Sequence, residues 1–90
     1  MKSSNDEFNR LTDMVLVSEE PMVVVTDWMR DRGFEFVPGV EFGQMVVVDL
    51  VDGGREITSA PSDAKYRGGD SKRIALSFAA ALQAVIDRRP

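Results

Sequence analysis

The chain contains no cysteine and no histidine. The first absence excludes a disulfide framework and thiolate chemistry. The second removes the commonest general base and the commonest transition-metal ligand together. Serine and threonine are present, but no Ser-His-Asp arrangement can form and no G-x-S-x-G elbow occurs. Long apolar runs are missing too. No aliphatic stretch is longer than Met45-Val46-Val47-Val48, which is far short of a bilayer span. Residues 1–10 are polar and carry no apolar segment of signal-peptide length. The expectation from these absences is a cytoplasmic protein that is not an enzyme and uses no metal or cofactor.

What is present describes one small domain. Ninety residues with 43% hydrophobic and 29% charged side chains have a globular composition and length for a single core. The net charge of −4 is unevenly spread. Residues 1–64 hold 13 acidic and 5 basic side chains, a balance of −8, whereas residues 65–90 hold 2 acidic and 6 basic, a balance of +4. This predicts an acidic body with a basic C-terminal part, a field able to steer a charged partner.

Periodicity divides the chain into six elements. Ser4-Asn5-Asp6-Glu7 has capping-box spacing, and Phe8, Leu11, Val15 and Leu16 follow on one helical face, giving a helix within residues 1–17. Ser18-Glu19-Glu20-Pro21 reads as a second helix start, and Met22, Val25 and Met29 recur at helical spacing before Gly33. This places a helix over residues 18–33, although Val23-Val24-Val25-Thr26 has the β-branched composition of a strand. Helix and strand both stay open for residues 21–26. Residues 34–60 read as a three-stranded meander. Phe34 and Phe36 share a face, residues 45–51 form the central strand, Asp52-Gly53-Gly54 turns the chain, and residues 55–59 return. Residues 61–70 form a polar loop. Over residues 71–89, Ile74, Phe78, Ala81, Leu82 and Val85 line one face of a helix kept slim by Ala75, Ala79 and Ala80, with Arg88 and Arg89 complementing its C-terminal dipole. The fold class is therefore α+β. A three-stranded antiparallel sheet packs against helices in the order α-α-β-β-β-α. Ile74, Phe78, Leu82 and Val85 are expected against the inward face of the central strand.

Few constellations could carry chemistry. Asp27 and Asp31 share a helix face, but Arg30 and Arg32 interleave and no third ligand is near, which reads as a solvated face. Asp49-x-x-Asp52-Gly53 lacks the remaining ligands of a calcium loop and is explained by a hairpin turn. Gly68-Gly69-Asp70-Ser71-Lys72 places glycines and a lysine at a helix start without Walker A spacing. With Lys65, Arg67, Lys72 and Arg73 around it, this region is a candidate anion or phosphate contact.

From Pro21 to about residue 86 the order helix, three strands, helix resembles a double-stranded-RNA-binding domain. Ser71-Lys72-Arg73 followed by Ala79-Ala80 is similar to the start of that family's last helix. The resemblance implies that Lys72 and Arg73 span phosphates across a major groove. The chain departs from the pattern at Leu76, where the family has another lysine. It also lacks the minor-groove histidine after the first strand and carries an acidic first helix. Its size, acidity and helix–sheet–helix character also resemble small accessory proteins of phages and mobile elements, among them anti-CRISPR inhibitors. That resemblance implies a host protein complex as partner.

Two expectations about function result. The first is a protein-binding module using Glu19, Glu20, Asp27, Trp28 and Asp31, with Trp28 as an anchor and the acids steering a basic partner. The alternative is a nucleic-acid-binding module using Lys65, Arg67, Lys72 and Arg73. The N-terminal helix, whose apolar stripe the α-β-β-β-α unit does not need, is a candidate contact for a partner or a second copy of the chain.

Overall fold

The computed structural model describes residues 4–39, 44–61 and 70–89. Along them run α1 (Ser4–Val17), α2 (Pro21–Arg30), β1 (Phe34–Pro38), β2 (Gln44–Asp49), β3 (Arg55–Pro61) and α3 (Asp70–Asp87). The order is the expected α-α-β-β-β-α, and the strands form one antiparallel sheet in the order β1-β2-β3.

α1 buries Leu11 and Val15 completely and packs Phe8 against the core, as its stripe predicts. Leu16 does not follow. It lies one residue further round the helix and is 48% exposed. The stripe rests on α2 and α3 of the same chain. The surface that this stripe needs is therefore supplied by the chain's own helices.

α2 is helical throughout, which decides residues 21–26 in favour of helix. Met22, Val25, Thr26 and Met29 are buried at helical spacing. The gain from burying that face outweighs the weak β preference of the valine run. Thr26 fits in the interior because its Oγ1 donates to the Val23 carbonyl at 3.1 Å. The helix begins at Pro21 rather than at residue 18, with proline in the first turn, where its missing N–H costs nothing. Residues 18–20 form a tight turn in which Ser18 Oγ accepts the N–H of Glu20 at 2.9 Å. α2 ends at Arg30, and Gly33 then turns the chain into β1 with a φ of +93°.

In the sheet Phe34 pairs with Asp49, Phe36 with Val47 and Pro38 with Met45, so this set faces the helices. Phe34 and Val47 are buried, and Phe36 and Met45 pack partly buried against them. Between β2 and β3 the register slips: Val48 pairs with Glu56 and Val47 with Thr58. Ile57 is the extra residue of this bulge and packs against the core. β2 stops at Asp49, two residues short of expectation. Asp49 Oδ1 accepts the N–H of Val51 at 3.0 Å, which bends Leu50 and Val51 into an exposed turn.

α3 starts at Asp70, and Ala75, Phe78, Ala79 and Leu82 form its buried face. Ile74 and Val85 flank that face, partly buried. Ala80 and Ala81 lie outside it, exposed, contrary to the sequence reading of Ala81. The Phe78 ring meets Phe36 edge-on, with centroids 6.0 Å apart, so its aromatic partner lies on β1 beside the buried Val47 of β2.

Past α3, Arg89 ties the last turn to the sheet. Its Nη2 pairs with Asp49 Oδ1 at 2.8 Å and its Nη1 donates to the Arg32 carbonyl at 2.7 Å. Its guanidinium carbon lies 4.8 Å from the centroid of the Phe34 ring. The Arg89 side chain is 17% exposed and that of Asp49 only 5%. Arg89 is thus an internal tie, beyond the dipole complement that its position predicts.

Candidate protein-binding face

α2 has two unlike sides. Met22, Val25, Thr26 and Met29 face inward, and Val23, Asp27 and Arg30 are exposed. Glu20 precedes the helix, Asp31 follows it, and both are exposed. Positions 20, 27 and 31 fall on one side of a 3.6-residue helix, so Glu20, Asp27 and Asp31 form an outward acidic stripe. Glu19, in the turn before α2, extends it. The acids are not equivalent. Asp27 pairs with Arg30 at 2.9 Å, with both side chains largely in solvent, which partly neutralises its charge. Glu19, Glu20 and Asp31 make no ion pair with any described residue, so the unneutralised charge of the stripe sits at its two ends.

Trp28 sits apart from this stripe. It is half-buried against the core. The Arg32 guanidinium lies over its ring at 3.8 Å from the centroid, and Arg32 Nη1 donates to the Trp28 carbonyl at 3.0 Å. Arg32 also reaches Glu7 of α1 at 3.5 Å. Trp28 Nε1 is buried with no hydrogen-bond partner among the described residues. The ring thus stacks between core and cation and helps join α1 to α2.

Sequence reasoning missed the apolar part of this corner. Val17, the last residue of α1, is 83% exposed, and Met14 and Val23 are exposed as well. Val17 and Val23 flank the turn that carries Glu19 and Glu20. The available signal is negative: Met14 and Val17 fall outside the Phe8–Leu11–Val15 stripe, and Val23 outside Met22–Val25–Met29.

The basic candidates are placed differently. Lys65 and Arg67 lie outside the described residues. Lys72 Nζ donates to the Leu16 carbonyl near the end of α1, where a cation complements the unsatisfied carbonyls. Arg73 pairs with Asp70 at 3.6 Å and is exposed. Both described residues thus have a partner within the chain, Lys72 on the end of α1 and Arg73 on Asp70, and the side chain of Arg73 is the more exposed. Among the described residues no group of three or more histidine, cysteine, aspartate or glutamate side chains is placed to hold a metal ion. No described helix is long and apolar enough to cross a membrane. No protein-family model matches the chain, and no curated protein or solved structure gives a significant match to it.

Proposed function

We propose that the chain is a non-enzymatic protein-binding module that docks through the acidic side of α2 and the apolar corner beside it. The observation that carries this reading is Val17, 83% exposed at the turn that holds Glu19 and Glu20. A single exposed valine is ordinary. Val17, with Met14 one turn before it on α1 and Val23 beyond the turn on α2, lies next along the chain to these acids, and exposed apolar residues beside charges are the make-up of an interface. The partner that fits is basic around an apolar contact. A groove that otherwise holds nucleic acid, in a host nuclease or surveillance complex, has that chemistry. The specific form of the reading is therefore a phage-type inhibitor of host defence, acting in the cytoplasm. A second copy of the chain fits less well, because a two-fold contact at this corner would set the same acids against one another.

The test compares wild-type protein with Val17→Glu and with Glu20→Lys as immobilised bait for a purified candidate complex, beside a labelled RNA duplex. The proposal expects the protein complex to bind wild type and to be lost from both variants, with RNA unbound at physiological salt. Tight duplex binding that disappears on Lys72→Glu/Arg73→Glu would establish the RNA-binding alternative instead, since phosphate contacts dominate such affinity.

A further inference from the structure

A cavity of 460 Å³ opens beside the Asp49–Arg89 tie, between the β2–β3 turn and the end of α3. Its volume lies in the range of small-ligand pockets, roughly 300–1,000 Å³. Val51, Ile57 and Val85 supply apolar lining. Arg55, Arg88 and Arg89 line it with Asp49 and Asp52. Asp49 is committed to Arg89 at 2.8 Å, and Asp52 is loosely held by Arg55 at 3.7 Å. Arg88 is exposed and forms no ion pair with a described residue. The lining therefore carries one surplus positive charge, in a protein whose net charge is −4. Three carbonyls at the nearby helix end are already occupied by backbone donors. The carbonyls of Ala84 and Val85 accept the N–H of Arg88, and that of Ile86 accepts the N–H of Arg89.

We propose that this cavity binds a small organic carboxylate with an apolar body. One surplus charge matches a monoanion, and the guanidinium fork of Arg88 matches a carboxylate in two-point geometry. Val51, Ile57 and Val85 would cover the hydrocarbon part. Arg55 can turn from its long contact with Asp52 to the same carboxylate, because both side chains are exposed.

The test is a titration of the full chain with hexanoate, followed by the methyl NMR signals of Val51, Ile57 and Val85. Hexylamine and inorganic phosphate serve as separate probes. We expect saturable shifts with hexanoate in the millimolar range and none with the other two. Arg88→Glu, at an exposed position with no ion pair to a described residue, should keep the wild-type spectrum elsewhere and weaken hexanoate roughly tenfold or more. Glu20→Lys should leave the titration unchanged, which separates this site from the face on α2. Absence of saturation, equal response to hexylamine or phosphate, or full binding by Arg88→Glu would overturn the assignment.

Discussion

Gly33 holds a φ of +93°, and a Cβ built there would lie 2.5 Å from Val51 Cγ2. Both the backbone and the neighbour oppose any side chain. Gly33→Ala should therefore cost about 1–3 kcal/mol in chemical denaturation, through a strained backbone and a displaced turn. Arg89 makes the complementary point with charge. Asp49 is almost wholly buried and relies on Arg89 for its ion pair. Arg89→Met should cost about 3–5 kcal/mol, because it strands a buried carboxylate. Asp49→Leu combined with Arg89→Met should recover much of that loss, as both charges leave together. A double variant as unstable as the sum of the singles would show that the tie works through the Arg32 carbonyl and the Phe34 ring instead. Gly33 was legible as a helix stop in the left-handed conformation, but the Asp49–Arg89 tie was not. Arg89 offers a dipole argument and Asp49 a turn argument, and nothing in their spacing says that residues 40 positions apart meet.

The helices and strands were far more legible, because each has a strong local period. Met22, Val25 and Met29 predict α2, and Phe78 and Leu82 predict the buried side of α3, although Ala75 and Ala79 share that side and Ala81 does not. The misses fall where a side chain competes with the period. β2 stops early because Asp49 captures the N–H of Val51, and α2 starts late because Ser18 captures that of Glu20. Where α1 packs was not legible for another reason. Its stripe was visible, but helix–helix packing is a tertiary fact with no local signature. Because Leu11 is fully buried in the common core, Leu11→Ala should cost about 2–5 kcal/mol in a single cooperative unfolding transition. A separate early transition would mean that α1 is an appendage to an independent α-β-β-β-α unit.

The molecule as a whole presents a divided surface. The acidic stripe of α2 and the apolar corner at Val17 and Val23 lie on the helical layer. The surplus arginine charge lies where the β2–β3 turn meets the end of α3. Of the acids of the candidate face, Asp27 and Asp31 were legible as a pair at i,i+4 spacing, and Glu20 joins their side only once α2 is seen to start at Pro21. The apolar corner was not legible, because exposure depends on which stripe the core claims. Of the basic residues that are described, Lys72 donates to the Leu16 carbonyl, a tertiary contact 56 positions along the chain that its spacing does not show.

The claim that the α2 face docks on a basic partner is tested most directly by association kinetics of the purified pair at low and high salt. The informative variant is Glu20→Lys/Asp31→Lys, which reverses the acids at the two ends of the stripe that form no ion pair with a described residue. Its effects on helix stability offset, since one new lysine opposes the dipole at the N-terminus of α2 and the other complements it at the C-terminus. The account predicts that the variant associates roughly tenfold more slowly at low salt. Dissociation should change less, and the gap should close as salt screens the exposed charges. Equal association rates for variant and wild type at low salt would contradict it.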